Sequence, residues 1–93
     1  MTHHLHLTGL VQGVGFRPFV WQLARAMRLV GTVSNGVDGV HIYVNTDIET
    51  AERFQARLLA EAPALARIES AAMNRVASRF FAEFTIAESD TDG

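Results

Sequence analysis

The sequence contains no cysteine, no long apolar run and no basic cluster, and each absence excludes a class of protein. Without cysteine the chain has no disulfide, no thiolate metal site and no cysteine nucleophile, which fits a reducing cytoplasm. No apolar run approaches the ~20 residues of a membrane helix, and the N-terminus lacks the basic and apolar regions of a signal peptide. A net charge of −2 argues against nucleic acid as the main partner. We therefore expect a cytoplasmic protein that binds neither membranes nor nucleic acids.

The 93 residues leave room for one domain with one core. A hydrophobic fraction of 48% and a charged fraction of 19% are typical of a globular protein and argue against disorder. The C-terminal residues are polar, as in a linker or a frayed end. We expect a domain over residues 1–88 and a polar tail or the start of a linker over residues 89–93.

Apolar spacing in the first third of the chain predicts a strand followed by a helix. Leu5 and Leu7 alternate with polar residues within residues 3–10, which is the period of a strand with one buried face. Over residues 17–30 the spacing becomes helical, and we expect Gly31 to end this helix in a left-handed conformation. The apolar stripe of the helix consists of Phe16, Val20, Leu23, Ala24 and Met27.

The rest of the chain predicts a hairpin, a second helix and further strands. Residues 32–35 and 39–45 read as two strands joined by turn residues. Residues 46–49 resemble a capping box that opens a helix, and Pro63 marks the end of that helix. Residues 67–76 indicate a weaker strand and residues 80–86 a final one. The order β-α-β-β-α-β, with room for an extra short strand, predicts an α+β ferredoxin-like sandwich, in which two helices pack on one face of an antiparallel sheet.

Residues 9–18 combine glycines, an arginine and a helix start in a pattern that predicts a phosphate cradle. Gly13 and Gly15 tolerate positive φ, so that successive backbone N–H groups can turn toward one point. The helix N-terminus adds positive charge there, and Arg17 offers a planar fork suited to two phosphate oxygens. The alternative interpretation of the glycines is that they only shape a tight strand-to-helix turn. The alternative interpretation of Arg17 is an ordinary surface arginine.

Asn35 is the second candidate for a functional role. An Asn-Gly pair in a hairpin is most often only a turn signal. In the predicted topology, however, the first strand and the strand that carries Asn35 approach the same end of the sheet. A neutral carboxamide there is able to hold a water near a phosphate without repelling the anion.

The histidines suggest a metal site, but the pattern favours a different interpretation. His4 and His6 share a strand face, so that the pair is able to bind a metal at one edge of the sheet. Since there is no cysteine and no obvious carboxylate partner, we interpret both as exposed strand histidines and His41 as a solvated hairpin residue. We expect no metal ligands.

Residues 11–17, Val-Gln-Gly-Val-Gly-Phe-Arg, match the signature loop of the acylphosphatase family residue for residue. Ser34 and Asn35, followed by residues 38–40, resemble the second motif of that family. Residues 16–24 and 63–69 further resemble the N-terminal acylphosphatase-like domain of the carbamoyltransferases that mature [NiFe] hydrogenases. The resemblance extends over nearly the whole chain, and its first motif is highly specific.

The resemblance implies a metal-free hydrolase of carboxyl–phosphate anhydrides that uses no cofactor. In the carbamoyltransferase branch the implied substrate is carbamoyl phosphate and the implied partners are the other domains of a larger protein. Asn35 would position the attacking water, and the phosphate would be bound by the Arg17 side chain and by the loop backbone of Gln12, Gly13, Val14, Gly15, Phe16 and Arg17.

The residues themselves agree with such a reaction. No Ser-His-Asp arrangement is apparent, but an acyl phosphate is already activated, so positioning and charge stabilisation suffice, and the substrate phosphate is able to accept the proton of the water. A free-standing acylphosphatase and a non-catalytic module that binds carbamoyl phosphate or another anion remain alternatives.

Overall fold

The computed structural model describes residues 1–87, which form two helices and one five-stranded sheet. The strand order in the sheet is β4-β1-β3-β2-β5, and β5 is parallel to β2 whereas the other neighbours are antiparallel. The elements are β1 (Thr2–Leu10), α1 (Phe16–Ala26), β2 (Val30–Gly36), β3 (Gly39–Asn45), α2 (Ile48–Glu61), β4 (Arg67–Val76) and β5 (Phe84–Ile86). The predicted α+β ferredoxin-like fold is confirmed, and the extra strand β5 makes its sheet mixed.

One face of the sheet is covered by both helices and holds the core. Leu5 and Leu7 of β1 are fully buried and lie opposite Ile42 and Val40 of β3. Burying a side chain of this kind stabilises the fold by roughly 1.5–3 kcal/mol. The helices contribute Phe16, Val20, Leu23 and Ala24 from α1 and Ala51, Phe54 and Leu58 from α2. The opposite face of the sheet has no helix among residues 1–87 packed on it and carries polar side chains.

The end of α1 differs from the prediction. The helix ends at Ala26, and the left-handed residue after it is Arg28, with φ of 61°. Gly31 instead lies within β2, where a Cβ atom would come within 1.8 Å of the Tyr43 carbonyl oxygen. Gly31 is therefore required for the close approach of β2 to β3, which is a tertiary contact that helical spacing does not reveal.

The second helix begins one residue later than the predicted capping box. Its N-cap is Asp47, whose carboxylate accepts a 2.9 Å hydrogen bond from the backbone N–H of Thr50. This hydrogen bond holds the pKa of Asp47 below its usual value. The helix ends at Glu61, two residues before Pro63, as predicted.

The last two strands agree with the sequence prediction to different extents. Strand β4 has the predicted bounds, but only Phe84–Ile86 of the predicted final strand is formed, because β5 pairs with just three residues of β2. Phe80 is exposed despite its place in the alternating pattern. The tail predicted over residues 89–93 lies outside the described residues. Neither helix within residues 1–87 is long and apolar enough to cross a membrane.

Candidate active site

Apolar side chains anchor the loop between β1 and α1 to the hydrophobic core. Val11 and Phe16 are almost fully buried and Val14 is packed against the core, whereas Gly13 and Gly15 are exposed. Both glycines have left-handed φ angles, of 74° and 76°, and a Cβ atom at either would meet nothing within 4 Å. The glycines therefore serve the conformation of the loop and leave the space above it open.

The N-terminus of α1 lacks the capping that α2 has. Its N-cap residue Gly15 has no side chain to accept a hydrogen bond, and its first turn has no acidic residue. In contrast, α2 begins with the carboxylate cap of Asp47 and carries Glu49 in its first turn. Within residues 1–87 the backbone amides of residues 13–17 donate no hydrogen bond. The positive end of α1 is thus available to an anion.

Arg17 is the second residue of α1 and is half-buried beside this loop. No carboxylate in the described part of the chain forms an ion pair with it. The guanidinium therefore adds a positive charge to the helix end that no carboxylate of residues 1–87 neutralises.

Asn35 lies in β2 rather than in the turn, and the residue is only 8% exposed. In the sheet register Asn35 is opposite Val40, which on its other side is opposite Leu7 near the end of β1. These three residues form a row across the sheet on its helix-covered face. The register thus places Asn35 at the end of the sheet where the loop begins, as expected from the strand order. It also places Asn35 on the face that the helices cover, which the sequence did not predict.

A side chain that sequence reasoning missed joins the two motifs. The Nε2 atom of Gln12 donates a 2.8 Å hydrogen bond to the carbonyl oxygen of Gly36, the residue after Asn35. From the sequence, only the backbone of Gln12 was expected to take part, and no local pattern reveals a contact between residues 24 positions apart. Beside Gln12 lies a cleft of about 420 Å³, which Arg17 and Asn35 do not line; its lining residues are Gly9, Leu10, Gln12, Val37, Asp38 and Gly39.

The histidines are less exposed and more closely associated than predicted. β1 is an inner strand of the sheet, so His4 and His6 do not lie at an edge. His41 is half-buried and contacts both His4 and the carboxylate of Asp38. The hydrogen bond from His41 lowers the pKa of Asp38, and partial burial, followed by repulsion from His41 and His6, lowers the pKa of His4.

Comparison with known proteins assigns the family of this fold and loop. Residues 3–86 match the family model described as Acylphosphatase. The chain belongs to the acylphosphatase family. It is 52% identical over 66 residues to the carbamoyltransferase HypF of Rhodobacter capsulatus. The aligned residues cover 71% of this chain and 8% of that protein.

Solved structures of a full-length HypF and of a small acylphosphatase both agree with this assignment. A full-length HypF structure in the phosphate- and nucleotide-bound form superposes with a TM-score of 0.88 at 30% identity, covering 97% of this chain and 12% of that one. The acylphosphatase of Bacillus subtilis superposes with a TM-score of 0.81 at 25% identity, covering 92% of this chain and 97% of that one. The chain spans 8–12% of the length of the HypF relatives that it matches, and it is an acylphosphatase domain related to their N-terminal domain.

Proposed function

We propose that this acylphosphatase domain hydrolyses an acyl phosphate to a carboxylate and inorganic phosphate. The observation that carries the proposal is the difference between the two helix ends. The N-terminus of α2 is neutralised by Asp47, whereas that of α1 is uncapped, preceded by two exposed glycines and accompanied by Arg17. An uncapped helix end beside an arginine that forms no ion pair within residues 1–87 is suited to a dianionic group such as a phosphate.

The proposed reaction needs positioning and charge stabilisation. In our proposal the backbone amides of residues 12–17 and the guanidinium of Arg17 bind the phosphate and stabilise its negative charge as the anhydride bond breaks. The carboxamide of Asn35 orients the water. The water oxygen forms a bond to phosphorus, and the P–O bond to the acyl group breaks to release the carboxylate. The water oxygen and one of its protons stay on phosphorus as a hydroxyl, and the other proton goes to a phosphate oxygen, so that an acyl phosphate dianion and one water give a carboxylate and a monoanionic phosphate. No protein base and no cofactor takes part.

Similarity to HypF proteins, which are named carbamoyltransferases, supports carbamoyl phosphate as the substrate. The products would then be carbamate and phosphate, and the partners would be the remaining domains of a larger carbamoyltransferase. The loop addresses the phosphate end of the substrate and leaves the acyl group unspecified. A free-standing acylphosphatase with other acyl substrates would therefore use the same residues.

The role of Arg17 is tested by phosphate release from acetyl phosphate and from carbamoyl phosphate, in buffer that contains a chelator. Loss of one preorganised donor typically lowers turnover by ~10²–10³. We expect a loss of this size for Arg17→Ala, and only partial recovery in Arg17→Lys because an ammonium lacks the planar fork. Arg53→Ala, which removes an exposed arginine from α2, is the matched control. Wild-type turnover by a folded Arg17→Ala variant would refute the assignment.

The role of Asn35 is separated from phosphate binding by comparing kcat with KM. If Asn35 acts on the water, Asn35→Ala lowers kcat by at least ~10² while phosphate still binds. Asn74→Ala on β4 is the control, because Asn74 is an exposed strand asparagine. Phosphate binding by the wild-type chain without any release from either substrate would contradict hydrolysis and favour the non-catalytic binding module.

A further inference from the structure

The uncovered face of the sheet carries four side chains that the proposed hydrolysis does not use: His4, His6, Asp38 and His41. His6 and His41 lie directly opposite each other on β1 and β3, and His4 lies two residues before His6 on the same face. Directly opposed residues in a sheet have Cβ atoms about 4.5–5.5 Å apart. The backbone register alone therefore brings the two imidazoles within reach of one ion.

The potential ligand atoms converge. The Nε2 atom of His41 lies 2.7 Å from one carboxylate oxygen of Asp38, and the Nε2 atom of His6 lies 3.7 Å from the other. All three ligand atoms lie within 4.8 Å of one another. A tetrahedral ion with bonds of about 2.0–2.1 Å holds its ligand atoms about 3.3 Å apart, so an ion fits after small side-chain adjustments.

The hairpin turn holds Asp38 over the histidines. Gly39 has a φ of 124°, and a Cβ atom there would lie 2.3 Å from the carbonyl oxygen of Leu7, so the missing side chain lets the turn press against β1. A Cβ atom at Gly36 would lie 3.0 Å from an Asp38 carboxylate oxygen and 3.2 Å from the His41 ring. Two glycines thus make the room in which the carboxylate and the imidazole meet.

His4 supplies the outer partner that a metal-binding histidine needs. Its Nε2 atom lies 2.9 Å from Nδ1 of His41. When Nε2 of His41 binds a metal, its Nδ1–H donates to His4, and this hydrogen bond fixes the orientation of the ring, as the outer hydrogen bonds of metal-binding histidines usually do. The metal would replace two present contacts, the hydrogen bonds from His41 to the Asp38 carboxylate and from Nε2 of His6 to the Asp38 carbonyl at 2.7 Å.

We propose that this cluster binds one divalent transition-metal ion through Nε2 of His6, Nε2 of His41 and the carboxylate of Asp38. Two imidazoles and one carboxylate suit ions of the Zn²⁺ class, whereas Mg²⁺ and Ca²⁺ prefer sites made of oxygen ligands. The site lies on the face of the sheet opposite to Asn35, and the proposal does not depend on the proposed hydrolysis.

The proposal is tested by titrating Zn²⁺ into the metal-stripped 93-residue chain, with no purification tag attached, in a calorimeter. We expect one ion per chain, no binding of Mg²⁺, and a visible spectrum of tetrahedral nitrogen and oxygen coordination when Co²⁺ is used instead. We expect His6→Gln, His41→Gln and Asp38→Asn each to weaken Zn²⁺ binding at least ~100-fold, and His4→Gln to weaken it about 10- to 100-fold.

Glu52→Gln, which removes an exposed carboxylate from α2, is the control and should bind Zn²⁺ like the wild type. Circular dichroism of each metal-free variant establishes that it is folded, and the separate ligand variants keep the test decisive if one of them unfolds. Failure of the wild-type chain to bind Zn²⁺ overturns the proposal. So does wild-type affinity in Asp38→Asn, because the histidines would then act without the carboxylate as a loose chelating patch.

Discussion

Replacing Gln12 with alanine is the most direct test of the coupling between the loop and the hairpin. The change removes the 2.8 Å hydrogen bond to the Gly36 carbonyl but leaves every backbone amide of the loop in place. A typical intramolecular hydrogen bond contributes about 0.5–1.5 kcal/mol, and leaving a buried partner unsatisfied costs about 1–3 kcal/mol. Gly36 is buried but stays paired with Gly39 in the hairpin. For the loss of the Gln12 hydrogen bond we therefore expect the range that both values share, about 1–1.5 kcal/mol.

This free energy corresponds to a loss of about 5- to 12-fold in kcat/KM if the bond serves the transition state. Steady-state phosphate release from acetyl phosphate measures it, and the loss should be far smaller than that of Arg17→Ala. Gln22→Ala, which removes an exposed glutamine from α1, is the matched control. In the Asn35→Ala background the effect of Gln12→Ala should shrink to less than about 2-fold, because a bond that positions Asn35 has nothing left to position.

Two results would refute this reasoning. One is wild-type kcat/KM in a folded Gln12→Ala variant, because the hydrogen bond to Gly36 would then contribute to the structure but not to catalysis. The other is the same loss in the presence and absence of the Asn35 side chain, because Gln12 would then act only on the loop. Urea unfolding of each variant shows whether a change in its kcat/KM comes from a loss of stability instead.

Three further predictions concern stability. Both ring nitrogens of His3 are buried and have no hydrogen-bond partner within residues 1–87, so His3→Leu should raise the free energy of unfolding by about 1–2 kcal/mol; a lower urea midpoint would contradict this. Asp47→Ala should lower the melting temperature at pH 7. Because the hydrogen bond from the Thr50 N–H holds the folded-state pKa of Asp47 below its ordinary value, this difference should be complete above the ordinary pKa and vanish as the pH falls through the lowered folded-state pKa; a pH-independent difference would exclude the carboxylate cap. Gly39→Ala should destabilise more than Gly13→Ala, since only at Gly39 does the new Cβ meet the backbone, at 2.3 Å from an oxygen; equal urea midpoints would contradict the clash.

The candidate phosphate loop was predictable because its determinants are local. Two glycines, an arginine and the start of an apolar helical stripe lie within five residues, and the conformations of Gly13 and Gly15 need no distant contact to be expected. The position of Asn35 at the same end of the sheet followed from strand order alone. Its near-complete burial did not, because it depends on which face of β2 the helices cover.

The errors of sequence reasoning arose where a residue contacts a neighbour far along the chain. Gly31 looked like a helix cap, but it is required by the carbonyl of Tyr43 on the adjacent strand. His41 looked like a solvated hairpin residue because its partners lie on β1 and in the turn. Asp38 looked like a turn residue and nothing more, because its histidine contacts appear only once β1 and β3 are paired.

The amino-acid sequence by itself determined the order of the helices and strands, the apolar face of each and the uncapped glycine loop, since periodicity, propensity and capping act over a few residues. Only the tertiary structure decided the parallel pairing of β5 with β2, the hydrogen bond between Gln12 and Gly36, and the cluster of three histidines with one carboxylate. These features depend on strand register and on how closely two backbones approach, and both are set by the packing of the whole sheet.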